Sequence, residues 1–127
     1  MRFNHVTLDV ADLERSKAFY TRLGLVQIVD APPRYARFAF PDGDATLSVE
    51  VMGGRPPQPD RAQIFFECES LDETVAALKQ RGVVFEQDPT DTFYLWREAH
   101  LRDPDGHHLR LYRAGQNRLD PPWKLRP

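Results

Sequence analysis

The chain of 127 residues is long enough for one domain or for two small, closely associated halves. With 41% hydrophobic and 28% charged residues, it has the composition of a globular protein that folds in water. A net charge of −2 and the lack of any Lys/Arg run argue against nucleic acid as a partner. No apolar run approaches the roughly 18–20 residues that span a bilayer, so we expect no membrane partner either.

The start of the chain and its cysteine content suggest a location. The start, M-R-F-N-H-V, has the pattern of a strand and lacks the apolar region of a signal peptide. The one cysteine, Cys68, excludes an intrachain disulfide, and its apolar neighbours favour a buried thiol in a reducing compartment. We therefore expect a cytoplasmic protein.

The first half of the chain has the pattern of a strand, a helix and three further strands. Alternating apolar residues predict strands over residues 3–10, 25–30, 35–40 and 46–52. Asp12 is the predicted helix N-cap, and an apolar stripe runs from there to Leu23, where Gly24 ends the helix. Residues 53–60, G-G-R-P-P-Q-P-D, are predicted to form a linker because Gly and Pro dominate them.

After this linker the same order of elements returns. A strand over residues 63–68 precedes a helix over residues 71–81, which has Ser70 as its cap and ends at Gly82. Strands are predicted over residues 83–87, 93–101 and 109–113, and residues 88–92 are predicted to form a loop. The tail, residues 114–127, is polar and contains prolines, and we expect its Trp123 to dock on the domain or on a second copy.

This restart is an internal repeat, because an offset of 58 carries Asp12 to Ser70 and Gly24 to Gly82. Neither half could bury a good core alone. We therefore predict an α+β fold in which residues 1–127 form a single domain. Its βαβββ modules, residues 1–52 and 61–113, would form a curved mixed sheet around a cleft, with the helices outside. The polar strand faces would line this cleft with His5, Thr7, Asp9, Ser48, Glu50, Gln63, Phe65, Glu67, His108, Arg110 and Tyr112.

Residues 101–112, L-R-D-P-D-G-H-H-L-R-L-Y, combine a tight turn with an alternating strand. Pro and Gly in D-P-D-G supply the dihedral angles that such a turn needs. In the strand that follows, one face carries His108, Arg110 and Tyr112. In the strand before the turn, periodicity does not decide which of two faces reaches the cleft. The two sets are Trp96, Glu98 and His100 on one side, and Arg97 and Ala99 on the other.

Three segments carry a resemblance to a known family: F-N-H-V-T-L-D-V-A-D-L-E-R-S-K-A-F-Y-T-R-L-G-L, I-F-F-E-C-E-S-L-D-E and L-R-D-P-D-G-H-H-L-R-L-Y. In this order they resemble the vicinal oxygen chelate superfamily of glyoxalase I, extradiol dioxygenases, and fosfomycin- and bleomycin-resistance proteins. The resemblance covers residues 3–113. It implies paired βαβββ modules, a divalent metal in the enzymes and often a homodimer, but it does not specify one function.

Metal ligands in such enzymes lie on the first and last strands of each module. The first-strand positions match His5 and Gln63, whose imidazole nitrogen and amide oxygen can bind divalent cations. The last strand of the first module offers Ser48 or Glu50. The last strand of the second module usually supplies a Glu, in the pattern D-P-D-G-x-x-φ-E-φ (φ apolar), and here that position is Arg110.

Arg110 is the departure from the family pattern that matters most. Its guanidinium has no lone pair to give a metal. It would also repel a cation about 5 Å away by about 3 kcal/mol per unit charge at a protein-like dielectric. The usual four-ligand site therefore cannot form, and at most His5, Gln63 and Glu50 remain as metal ligands. Our hypothesis is that Arg110 pairs with Glu50 or with an anionic ligand.

The predicted function is a small-molecule-binding protein of the glyoxalase/bleomycin-resistance type with a degenerate metal site and no cofactor. Its ligand would be partly apolar, with an anionic or carbonyl group. The predicted ligand-binding residues are Tyr35, Phe65, His100, Arg110 and Tyr112. The alternative is a metal-dependent lyase or dioxygenase of the same superfamily with a reduced ligand set, in which His5 and Glu50 are the catalytic residues. A third interpretation is an interaction module with a vestigial cleft.

Overall fold

A computed structural model describes residues 1–53 and 56–126 of the chain. The elements in chain order are β1 (His5–Asp9), α1 (Leu13–Leu23), β2 (Val26–Ala31), β3 (Tyr35–Ala39), β4 (Thr46–Glu50), β5 (Gln63–Glu67), α2 (Leu71–Gln80), β6 (Gln87–Asp91), β7 (Arg97–Arg102), β8 (His108–Arg113) and a 3-10 turn (Gly115–Arg118). Residues 54 and 55 of the predicted linker and residue 127 of the predicted tail lie outside the described residues. None of the described helices is long and apolar enough to cross a membrane.

The chain divides into two compact units. The first comprises Met1–Arg61 together with Asp103–His107, and the second comprises Ala62–Arg102 and the chain from His108 onward. Each unit holds one four-stranded sheet, with the order β1-β4-β3-β2 in the first and β5-β8-β7-β6 in the second. In both sheets the first and last strands of the unit pair in parallel, and the other pairs are antiparallel. The predicted repeat is therefore present as two sheets of the same topology.

Alternation along the strands separates a buried face from a polar face in the first unit. The apolar faces of β3 and β4 bury Ala36, Phe38, Leu47 and Val49 completely. Helix α1 packs on these two strands and buries Leu13, Ser16, Tyr20 and Leu23. The polar faces of the same strands remain accessible to carry a site.

The second unit repeats this arrangement with its own helix. Helix α2 packs on β6, β7 and β8 and buries Leu71, Val75 and Leu78. The apolar faces of β7 and β8 bury Ala99, Leu101, Leu109 and Leu111. The even-numbered residues of these strands, among them Glu98, His100, His108 and Arg110, therefore lie on the opposite face.

Both helices begin at the predicted caps, but only one cap is hydrogen bonded through its side chain. The Asp12 carboxylate accepts a hydrogen bond from the Arg15 N–H at 3.1 Å, whereas Ser70 makes no such bond. Gly24 ends α1 with φ of 108°, a left-handed conformation that glycine adopts without steric cost. The predicted bounds of α1 are confirmed.

Two strand boundaries in the second unit differ from the prediction. The strand expected at residues 83–87 is instead β6, which occupies most of the predicted loop, and the strand expected from residue 93 begins at Arg97. Strand β6 lies at the edge of its sheet and buries few side chains. Its sequence, Q-D-P-T-D, therefore shows no apolar alternation. An edge strand also tolerates Pro89, which cannot donate to a neighbour. Between the strands, the Thr92 N–H bonds the Trp96 carbonyl at 2.8 Å and closes a hairpin turn.

The turn between β7 and β8 belongs to the first unit. The buried Asp103 carboxylate accepts a 2.7 Å hydrogen bond from the Tyr20 hydroxyl of α1. His107 Nε2 lies 2.6 Å from the carbonyl oxygen of Asp9 at the end of β1. The unit boundary therefore differs from that of the predicted module 61–113, because this turn is anchored on α1 and β1.

The tail after the 3-10 turn does not bury its tryptophan on its own chain. Trp123 is 56% exposed, so more than half of its surface is left uncovered. Asp120 forms ion pairs with Lys124 at 3.9 Å and Arg126 at 3.1 Å, so these residues fold the tail on itself instead. Docking of Trp123 on a second copy of the chain stays a prediction.

Candidate functional site

The first unit holds a cluster of hydroxyl groups around His5. His5 Nδ1 is 2.6 Å from Thr46 Oγ1, which belongs to its partner residue in the β1–β4 register. Its Nε2 lies 3.2 Å from Thr7 Oγ1 and 3.4 Å from Ser48 Oγ. A hydroxyl can either donate or accept a hydrogen bond, so the cluster accommodates either tautomer of the imidazole. His5 is thus an exposed imidazole with a polar partner for each nitrogen.

The cluster extends across the sheet to β3. The Tyr35 hydroxyl lies 2.6 Å from Ser48 Oγ and accepts a 2.9 Å hydrogen bond from Arg37 Nε. The Arg37 guanidinium also lies 5.5 Å from the centroid of the Tyr35 ring. Tyr35, a predicted ligand-binding residue, therefore shares a polar face with His5, and the buried Ser48 connects the two.

Glu50, the other predicted catalytic residue of this unit, lies at the far end of the strand pair. The register separates His5 and Glu50 by four residues, about 13 Å of strand. Glu50 forms an ion pair with Arg34 at 3.5 Å. Of the two candidates for the last-strand position, Ser48 is the one beside His5. A joint role of His5 and Glu50 stays a prediction, and this separation argues against it.

The second unit contains a buried carboxylate, Glu98, that binds three side chains. Its side chain is 1% exposed and accepts hydrogen bonds from the Tyr94 hydroxyl at 2.5 Å, His100 Nε2 at 2.9 Å and Arg110 Nη1 at 3.0 Å. Burial raises the pKa of Glu98, but hydrogen bonds from Tyr94 and His100 and the charge of Arg110 bring that pKa below its ordinary value. Glu98 therefore stays ionised and fixes Arg110 in place.

Glu98 accepts a hydrogen bond from only one nitrogen of the Arg110 guanidinium, Nη1. Its Nε is buried and has no hydrogen-bond partner among the described residues. Its Cζ lies 5.4 Å from the centroid of the Phe65 ring, within the range of a cation–π contact. The carboxylate that Arg110 binds is thus Glu98, rather than the Glu50 suggested by the sequence. Two predicted ligand-binding residues, Arg110 and Phe65, are in contact.

An aromatic cluster lies beside Arg110. The rings of Trp96 and Tyr112 stack with centroids 4.9 Å apart, and Phe65 meets them edge-on at 5.8 and 5.5 Å. Tyr94 meets Trp96 edge-on at 5.8 Å. Phe65 is 37% exposed and Tyr112 is 7% exposed, so Phe65 contributes accessible aromatic surface and Tyr112 lies beneath it. The predicted ligand-binding residues Phe65 and Tyr112 therefore belong to one apolar surface beside a cation.

Two histidines and a glutamine complete the polar part of this face. The rings of His100 and His108 meet edge-on with centroids 5.5 Å apart, and Gln63 is opposite His108 in the β5–β8 register. Burial, followed by the positive charge of Arg110, lowers the pKa of His108 below its ordinary value. Because Gln63 lies in a different unit from His5, the predicted ligand set of His5, Gln63 and Glu50 stays a prediction.

The two units place Ser48 and Arg110 at equivalent positions. In the first unit, His5 pairs with Thr46, and Ser48 lies two residues after Thr46. In the second unit, Gln63 pairs with His108, and Arg110 lies two residues after His108. The position where the resemblance expects a metal-binding group therefore holds a neutral hydroxyl in one unit and a cation in the other. Across residues 1–53 and 56–126, no group of three His, Cys, Asp or Glu side chains is arranged to hold a metal ion.

Glu98 is the site residue that the sequence analysis left undecided. Its strand buries Ala99 and Leu101, so Glu98 and His100 face the side of Arg110. The deciding signal was present in the sequence, because apolar residues at 99 and 101 continue the core stripe and force their neighbours onto the polar face.

Comparison with known proteins gives one family and one curated relative. A family model described as "Glyoxalase/Bleomycin resistance protein/Dioxygenase superfamily" matches residues 2–111. A trivalent organoarsenical cleaving enzyme from Bacillus sp. (strain MD1) is 30% identical over 122 residues. This match covers 88% of the present chain and 73% of the enzyme.

Solved structures share the fold. A glyoxalase/bleomycin resistance protein/dioxygenase from Nocardioides has a TM-score of 0.80 at 21% identity, with 99% of this chain and 90% of that chain covered. TnmS3, an antibiotic binding protein from Streptomyces sp. CB03234, has a TM-score of 0.74 at 25% identity, with 90% and 96% covered. The predicted glyoxalase-like fold of βαβββ modules is thus confirmed.

Proposed function

This chain belongs to the Glyoxalase/Bleomycin resistance protein/Dioxygenase superfamily, and we propose that it binds a small organic ligand without the metal centre of the family's enzymes. The observation that carries this proposal is the ion pair between Arg110 and the buried Glu98. This pair holds a permanent positive charge at the strand position that the resemblance assigns to a metal-binding carboxylate.

The chemistry of the donor set argues against a divalent metal. The four strand positions that match metal ligands hold His5, Ser48, Gln63 and Arg110. Of these groups only the imidazole is a strong ligand, and the guanidinium has no lone pair. Moving Arg110 away would remove a permanent positive charge and one of three hydrogen bonds from the buried Glu98, which we expect to cost about 3 kcal/mol. These residues do not fit the family's metal, and the proposed binding does not involve one.

The polar face of the second unit favours an aromatic ligand that carries an anionic or carbonyl group. Arg110 can hold the polar group through charge-assisted hydrogen bonds. Phe65 and Trp96 offer stacking area for the apolar body, and the buried Tyr112 supports both rings from below. The antibiotic binding protein among the structural neighbours, at 25% identity, supports a small-molecule ligand.

The proposal can be tested with two probes that differ only in charge: anthraquinone-2-carboxylate and anthraquinone-2-carboxamide. Calorimetry measures their affinities, and a melting curve measures stabilisation of the folded state by mass action. We expect the carboxylate to raise the Tm and to bind about tenfold more tightly than the amide. We expect mass spectrometry to recover both probes unchanged.

Two variants connect this binding to Arg110. The double variant Glu98→Gln/Arg110→Met lacks the cation but leaves no buried charge unpaired, and it should bind the carboxylate at least about tenfold more weakly. Arg118→Met removes a charge from the 3-10 turn and should leave the affinity unchanged. Equal affinity of the wild type and the double variant would overturn the proposal.

A second candidate function is cleavage of an organoarsenical, which is favoured by the 30% identity to an enzyme of that name. Trivalent arsenic is a soft centre that binds thiolates, and the chain has one cysteine, Cys68. The test is incubation with a trivalent phenylarsenical and each of Ni, Co, Mn, Fe(II) and Zn. Release of inorganic arsenic that disappears in His5→Ala would favour the enzyme over the binding protein.

A further inference from the structure

A cavity of about 430 Å³ lies within the second unit, apart from the face that carries Arg110. The β6–β7 hairpin lines one side, through Thr92, Leu95 and Trp96. The end of β8 and the 3-10 turn line the other side, through Arg113 and Asn117. Its volume is in the range of pockets that hold small organic ligands.

Strand alternation separates this cavity from the candidate site described above. Arg97 and Arg113, which line the cavity, are odd-numbered residues of β7 and β8. Successive side chains of a strand point to opposite faces. Glu98 and Arg110 therefore face away from the cavity, and a ligand held there would not use the Arg110 guanidinium.

The charges at the cavity leave one arginine available. Arg97 and Arg113 are directly opposite each other in the β7–β8 register, and opposed like charges are unfavourable. Three nitrogens of Arg97 are engaged, by Asp72 at 2.9 and 3.0 Å and by Asp91 at 3.0 Å. The exposed side chain of Arg113 forms no hydrogen bond or ion pair with any residue in the part of the chain that the structure describes. After the hydrogen bond from Arg97, its positive charge contributes to the lowered pKa of Asp72, and Asp91 is the acidic residue that lines the cavity.

The other polar groups of the cavity wall are bonded to one another. The Trp96 Nε1–H donates to the Asn117 carbonyl at 3.3 Å, and the Thr92 hydroxyl donates to the Trp96 carbonyl at 3.0 Å. The apolar surface of the wall comes from Leu95 and from the Trp96 indole. The cavity therefore offers one strong donor, Arg113, next to a flat apolar surface.

We propose that this cavity is a second ligand site, which takes a small aromatic carboxylate through Arg113 and the Trp96 indole. The guanidinium binds a carboxylate through two parallel hydrogen bonds. The two sites use different arginines, so this proposal does not depend on the proposed function of the Arg110 face. Trp96 borders both sites, and the Arg113 and Arg110 variants described below therefore decide which site a probe occupies.

Tryptophan fluorescence provides a direct test, since the chain has two tryptophans and the exposed Trp123 can be removed. The variant Trp123→Phe leaves Trp96 as the only tryptophan. The probes are 3-phenylpropanoate and its neutral amide, 3-phenylpropanamide. We expect the carboxylate to change the Trp96 emission with a Kd on the order of 1 mM, and the amide to bind about tenfold more weakly.

In the same Trp123→Phe background, Arg113→Gln should raise the Kd for 3-phenylpropanoate about tenfold. Arg118→Gln, which removes an equal charge from the 3-10 turn without lining the cavity, should leave the Kd unchanged. Three results would overturn the proposal: no emission change up to the solubility limit, equal Kd values for the acid and the amide, or the same Kd in Arg113→Gln. Loss of binding in Glu98→Gln/Arg110→Met but not in Arg113→Gln would assign the probe to the Arg110 face and overturn it as well.

Discussion

Arg110 is held by one buried carboxylate, and that carboxylate receives hydrogen bonds from three side chains. In a low-dielectric interior such a network is stable only when each charge keeps its partner. The guanidinium therefore has a fixed orientation before any ligand arrives, and a preorganised cation loses little freedom on binding.

A double-mutant cycle measures this network. Arg110→Met should destabilise the protein by about 3 kcal/mol because it removes the guanidinium charge from the buried Glu98 carboxylate, which then keeps the hydrogen bonds from Tyr94 and His100. Glu98→Gln should have a cost of similar size, since it removes the anion opposite Arg110. We expect the double variant to cost less than the sum of the two, with a coupling of about 1–3 kcal/mol in urea unfolding curves. Strict additivity would mean that the two residues do not interact.

The lowered pKa of His108 predicts a pH dependence of stability. Burial and nearby positive charges keep His108 neutral in the folded state, so below about pH 6.5 the unfolded chain binds more protons. The stabilisation is complete above that pH and is lost as the pH falls through the lowered folded-state pKa. Melting curves from about pH 8 to about pH 5 should therefore show a smaller acid loss for His108→Gln than for the wild type. Parallel curves for the two proteins would contradict this assignment.

For single residues, the sequence indicated which residues occupy the candidate site but not which side chains they contact. Arg110 was identified because the pattern D-P-D-G-x-x-φ-E-φ has a glutamate at that position. His5 was identified because it matches the first-strand ligand position of the family. The partner of Arg110 was not predicted. The apolar residues 99 and 101 indicate which face carries Glu98, but they do not indicate which side chain of the neighbouring strand Glu98 meets. Contacts between strands depend on register, which the sequence does not state.

Both helices were predicted from local sequence signals, but only α1 has a hydrogen-bonded side chain at its N-cap. Asp12→Ala should cost about 1 kcal/mol, because it removes the carboxylate that accepts a hydrogen bond from the Arg15 N–H. Ser70→Ala is the matched control and should cost less than about 0.5 kcal/mol, since Ser70 makes no side-chain cap bond. Denaturant midpoints of the two variants measure the difference, and an equal loss in both would contradict the assigned caps.

Strands were predicted well where they alternate and poorly where they lie at an edge. Strand β4 follows from the alternation around Leu47 and Val49, which the sheet buries. Strand β6 was misplaced because an edge strand of polar residues carries no apolar period. The same error put Tyr94 in a strand, whereas the hairpin turn brings its hydroxyl back to Glu98.

For the whole molecule, the internal repeat was the most informative feature of the sequence. An offset of 58 residues predicted two modules of equal order, and both sheets have the same strand order. The sequence did not reveal that residues 103–107 join the first unit, because the Tyr20–Asp103 contact spans 83 residues of chain. The predicted homodimer stays a prediction, and analytical ultracentrifugation would test it.

For the function, we propose that Ser48 and Arg110, at strand positions that the resemblance assigns to metal ligands, make this protein a small-molecule binder that uses no metal. The most direct test is metal analysis by mass spectrometry after incubation with Ni, Co, Mn, Fe(II) or Zn and dialysis. We predict no more retained metal in the wild type than in His5→Ala. Near-stoichiometric metal in the wild type that is lost in His5→Ala would contradict the account and favour the enzyme.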